Sequence, residues 1–116
     1  MPVAEPKFDE LTFFAQVKKR PGLFLGKPSF LSLRDQLMGM GYAFSFCCQE
    51  SQLPYFDMFV DWYHREILQD QNGYACWWNH ILYTCGNHDA YALEAFFAVF
   101  ERYLHDVHHV CLPDVP

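Results

Sequence analysis

Cys76, His80, Cys85 and His88 form the pattern C-x3-H-x4-C-x2-H, four residues of the types that zinc accepts in a tetrahedron. Such a set would act as a structural metal centre, closing a loop through thiolate and imidazole. The residues it encloses argue otherwise, because Trp77, Trp78, Ile81, Leu82 and Tyr83 seek a core, whereas structural zinc loops are polar and use glycine for tight turns. Cys76 and His80 can share a helical face, but Cys85 must then double back. Buried thiols with capping or hydrogen-bonded histidines are the simpler assignment, so no metal and no other cofactor is expected. The set stands as the alternative, a metal-binding regulator or small enzyme.

Other groups able to do chemistry give weaker patterns. Glu101, His105, His108 and His109 fall together at the end of a helical stretch, where histidines commonly complement the helix dipole. Asp57, Asp61 and His64 read as a solvated face, with Arg65 spaced to pair with Asp61. Cys47, Cys48, Cys76 and Cys85 could act as nucleophiles beside any of six histidines, yet none sits in a recognisable elbow or signature. Gly39, Met40 and Gly41 are too short for a phosphate loop and lack a following Lys-Ser or Lys-Thr. The chain is therefore expected not to be an enzyme.

The bulk composition narrows the partners. Eight Lys and Arg against fourteen Asp and Glu give a formal net charge of −6, which repels phosphate backbones and attracts a basic protein. Aromatic residues make up 19% of the 116, more ring surface than one small interior easily holds, so some should lie at the surface or in an interface. Five cysteines, an odd number, read as reduced thiols. Met1 to Glu10 shows no basic segment leading into an apolar run, and the longest tempting charge-free run, Gln36 to Gln49, is too short to span a bilayer. A cytoplasmic protein with no membrane and no nucleic-acid partner is expected.

The elements that position these residues read as helices. Phe8, Leu11, Phe14 and Ala15 recur at helical spacing up to Lys18, Lys19 and Arg20, where Pro21 and Gly22 are expected to stop the first helix. Leu23, Phe24 and Leu25 form an apolar plug expected to dive into the core. Ser29, or Ser32 with Asp35 as a capping box, opens a second helix to about Cys48 through Leu33, Leu37, Met40, Phe44 and Cys47. Gly39 and Gly41 within it predict a close crossing by another helix, with a break near Gly41 as the alternative. Pro54 starts a third helix, with Phe56, Phe59, Val60, Tyr63 and Ile67 on one stripe. Gln69 to Gly73 reads as a loop. Residues 74–85 form a short apolar central segment, read as helix with strand as the alternative. Asp89 onward gives the clearest amphipathic helix, through Leu93, Phe96, Phe100, Leu104 and Val107, before a tail at 112–116 expected to fray. The expected fold is all-α: residues 1–116 as one compact domain of about five helices, packed round Trp77 to Leu82.

The octapeptide Lys19 to Gly26 resembles the arginine-proline-glycine segment near the N-terminus of gyrase and Hsp90-type ATPases. No magnesium-binding Glu and Asn helix and no Asp-x-Gly-x-Gly stretch follow it, so that reading is rejected. Taken together, Arg20 to Gly26, Trp77 to Ile81 and Ala95 to Leu104 resemble small bacterial immunity-type proteins, which neutralise a toxin by binding it. The resemblance implies a protein-binding module that occludes a basic toxin. Asp57, Asp61, Glu94 and Glu101 are the acids expected to steer that partner, and exposed aromatics the anchors. A homodimer with self-complementary aromatic surface, binding a ligand between subunits, is the remaining reading.

Overall fold

Local capping explains where the chain turns. The Asp9 carboxylate accepts the Thr12 N–H at 3.1 Å and opens α1 (Glu10–Lys19), whose last turn carries Lys18 and Lys19. Pro21 does stop α1, but it also begins α2 (Pro21–Leu25), since a proline at the first helical position forfeits only an N–H that would be unpaired anyway. The left-handed residue that closes this turn is Gly26, with φ of 79°, and not Gly22. Ser29 caps α3 (Phe30–Cys47), its hydroxyl accepting the Ser32 N–H at 3.1 Å. Ser32 lies inside the helix, so the alternative box with Asp35 is not used.

Pro54 begins α4 (Pro54–Trp62), which widens into a π-helical turn at Tyr63–Ile67. The segment left open between helix and strand is helical, as α5 (Trp77–Thr84). His88 caps α6 (Asp89–Tyr103), which also ends in a π-helical turn, Leu104–His108. The computed structural model describes residues 8–48, 50–69 and 76–116, and among them there is no strand. The expected absence of a leader at Met1 to Lys7 and most of the expected loop, residues 70–73, lie outside those residues. The fold is thus an all-α single globule.

Aromatic rings fill the core. Phe14, Phe30, Phe59, Phe96, Phe100 and Tyr103 are all essentially inaccessible to solvent. Trp77 meets Phe30, Phe56, Phe59 and Phe96 at ring separations of 5.3–6.1 Å, so the central Trp segment does face the core. The hub, however, is α6 and not α5: Phe96 meets Phe14 at 6.2 Å, Phe30 at 5.9 Å, Phe59 at 5.7 Å and Trp77 at 5.9 Å, one ring from each of four other helices.

Three expectations are corrected. Of the apolar plug only Leu25 is buried; Phe24 is half-buried and Leu23 is 70% exposed. The plug is a helical turn, in which consecutive side chains diverge by about 100° and cannot all face inward. Among the described residues no helix crosses at Gly39 or Gly41, since a Cβ built on either meets nothing within 4 Å. Arg65 pairs with its neighbour Glu66 at 3.3 Å and not with Asp61. Residues 109–116 follow without regular secondary structure, with Leu112 against the core and the Lys19 ammonium donating to the Val115 carbonyl.

Candidate protein-binding surfaces

α6 carries a ridge of small and acidic residues on its outer side, Ala90, Glu94, Ala98 and Glu101, at helical spacing. Because alanine projects so little, Leu93 and Phe97 below are left as the floor of a groove of about 540 Å³, walled by Lys18, Pro21 and Pro28 from α1, α2 and the following turn. Glu101 is held in place by Lys18, whose ammonium donates to it at 2.7 Å. Glu94 is exposed. An apolar floor beneath two carboxylates suits a segment that presents an aliphatic or aromatic side chain beside a cation.

The four acids singled out from sequence do not converge. Glu94 and Glu101 share the groove on α6. Asp57 belongs to a second hollow of about 430 Å³ between α3 and α4, lined by Leu37, Phe44, Leu53 and Phe56, and it accepts the Ser51 hydroxyl at 2.5 Å. Asp61 is exposed one turn further along α4. The groove itself escaped sequence reading because it is made by what is small. Ala90 and Ala98 flanking Glu94 on one face were the available signal.

The residues of the metal alternative each have another role or place. His80 Nδ1 meets the Tyr63 hydroxyl at 2.6 Å, and burial, then the neighbouring Cys85, pushes that phenol up to about 12. His88 accepts the Tyr91 N–H as the cap of α6 and stacks on the Tyr91 ring at 4.1 Å. Cys76 stands at the N-cap of α5 and Cys85 at its C-cap. Among the described residues no three His, Cys, Asp or Glu are grouped so as to hold a metal ion. The histidines after Glu101 are likewise dispersed, His105 beside Asp106 at 3.0 Å and His108 bonded through Nε2 to the Tyr103 hydroxyl at 2.7 Å.

A further surface lies on the C-terminal half of α3. Leu33 and Leu37 are buried and Met40 and Phe44 pack against the core, but the opposite face of the helix is open: Met38 is 53% exposed, Tyr42 67% and Phe46 88%. The expected overflow of rings onto the surface is thus divided, among the described residues, between Tyr42 and Phe46 here and Tyr83 and Tyr91 elsewhere. No helix of the described residues is long and apolar enough to cross a membrane. No family model matches the chain, and no curated protein or solved structure matches it either.

Proposed function

We propose that this chain is a non-catalytic cytoplasmic module that binds another protein stoichiometrically, in the manner of an immunity protein occluding a basic toxin. The groove on α6 carries the reading: an apolar floor of Leu93 and Phe97 under a rim of Glu94 and Glu101. In this mechanism the net charge of −6 raises the encounter rate with a basic partner, and Glu94 and Glu101 orient its cations. The Lys18–Glu101 pair is partly exposed and so contributes no more than about 1 kcal/mol, which lets an incoming arginine displace Lys18. Apolar side chains of the partner then seat on the floor between Ala90 and Ala98. Asp57 and Asp61, on α4, act through the long-range field and not through contact.

The experiment is affinity capture against the products of neighbouring genes and a lysate of the source cell, using the native chain beside Ala98→Trp, which fills the groove. A basic protein retained by the native chain and lost by Ala98→Trp supports the proposal. No partner, together with no protection of cells against a toxin encoded alongside, sinks it.

A further inference from the structure

The chain leaves α3 between two cysteines. Cys47 is the last residue of the helix and Cys48 its cap, with φ of −130° and ψ of 145° and its N–H donating to the Phe44 carbonyl at 2.8 Å. Successive side chains of a continuing helix diverge by about 100°. Here the backbone turns extended at Cys48, and the two Sγ atoms lie 3.5 Å apart, with Cys47 exposed and Cys48 half-buried. We propose that Cys47 and Cys48 together chelate a trivalent arsenical carrying an apolar group, and that the hollow between α3 and α4 receives that group.

Two other uses of a thiol pair fit this geometry less well. The peptide between the cysteines is trans, which sets their Cα atoms about 3.8 Å apart, closer than a disulfide adopts without strain. An atom bridging the sulfurs avoids that strain. Thiolates also suit soft ions such as copper(I) and mercury(II), but in two-coordinate sites those ions hold their sulfurs in line, on opposite sides. Trivalent arsenic is pyramidal, with bonds that meet near a right angle, and takes two sulfurs on one side and in touch, as these stand. The exchange balances without an oxidant. Each Sγ displaces one hydroxyl from a dihydroxyarsine, so that two As–S bonds form and two As–O bonds break, and each thiol proton leaves with a hydroxyl as water.

The hollow beside the pair selects what the arsenic carries. Leu37, Gly41, Ser45 and Cys48 follow one another at helical spacing along the side of α3 that lines this hollow of about 430 Å³, so one thiol stands at the end of a row with a glycine inside it. A Cβ at Gly41 would meet nothing within 4 Å. The missing side chain thus leaves room for a ring between the cysteines and the apolar wall on α4. Glu50 and Asp57 supply the charge of the lining. Hydroxyarsines are neutral at pH 7, whereas phosphates and the disulfide of glutathione are anions, so the two carboxylates repel those competitors and leave the arsenical unopposed.

Intact-protein mass spectrometry of the full chain with phenylarsine oxide tests the proposal. In excess monothiol the native protein should retain one equivalent and release it to a small dithiol, because a chelated arsenical withstands single thiols and a singly bound one does not. Cys47→Ser and Cys48→Ser should each abolish retention with unchanged helical circular dichroism, and the triple variant Cys76→Ser, Cys85→Ser, Cys111→Ser should keep it. Gly41→Leu, which fills the hollow, should weaken binding of phenylarsine oxide by roughly tenfold and leave inorganic arsenite unaffected. An adduct that does not survive monothiol, or one that survives in Cys47→Ser, overturns the dithiol site. Unchanged binding of phenylarsine oxide by Gly41→Leu overturns the hollow as the seat of the ring.

Discussion

Glu10 is the residue whose environment departs most from its type. It is 5% exposed, and its two carboxylate oxygens accept the N–H groups of Tyr55 at 2.9 Å and Phe56 at 2.7 Å, the first turn of α4. Burial pushes its carboxyl from 4.5 up to about 7, outweighing the two N–H groups that pull it down, and Asp57 adds to the rise. The folded state therefore holds a proton that the unfolded chain has released above pH 4.5. That contribution to stability is complete below pH 4.5 and is lost as pH rises through 7. Asp89 works in the opposite direction. Burial raises it, but bonds from the Ser29 hydroxyl and the Leu31 and Phe30 N–H groups prevail, so its contribution is present above its ordinary 3.8 and lost as pH falls. Stability should thus be greatest in mild acid. Urea unfolding at pH 5 and pH 8 should show the native protein losing up to about 3 kcal/mol more than Glu10→Gln, which cannot titrate. Equal losses in the two proteins would remove the assignment. In the sequence Glu10 is legible only as an acid in the first turn of α1, because nothing in its spacing reveals partners 45 and 46 residues away.

At the scale of an element, α2 shows which part of the fold is readable and why. Stops and starts at Pro21, Ser29 and Pro54 follow from local backbone chemistry and were visible at once. The direction of three consecutive apolar residues was not, since it depends on whether the turn is helical or extended. The Gln36 amide donates to the Phe24 carbonyl at 2.6 Å, pinning α2 against α3 so that Leu25 points inward and Leu23 outward. Leu25→Asp should accordingly destabilise the protein by about 3 kcal/mol or more, whereas Leu23→Asp should shift it by no more than about 0.5 kcal/mol. Thermal melts of the two variants decide the matter, and equal effects would place both side chains wrongly. Gly39 and Gly41 misled for a related reason. A glycine inside a helix permits a close approach without requiring one, and open space surrounds both.

At the scale of the molecule, the all-α class and the aromatic core were legible because helical periodicity and ring content are properties of the chain itself. The candidate groove was legible only in part. Glu94 and Glu101 stood out as charges, but their floor and their separation from Asp57 and Asp61 depend on how α6 lies against α1 and α2. That placement of α6 also governs the order in which the protein can be built. Phe96 is the ring that Phe14, Phe30, Phe59 and Trp77 share, and these come from α1, α3, α4 and α5, all of which leave the ribosome before it does. Until α6 emerges those helices meet only through contacts such as Trp77 on Phe30, Phe56 and Phe59 and Phe14 on Phe56, and lack the ring that all four share. A fragment ending at residue 88 should show little helical circular dichroism and no cooperative melt, and a cooperative transition in it would mean that the first five helices hold together without their hub. Synthesis thus carries a long aromatic chain whose collapse waits on one helix, a vulnerable interval in which holding chaperones have the most to protect.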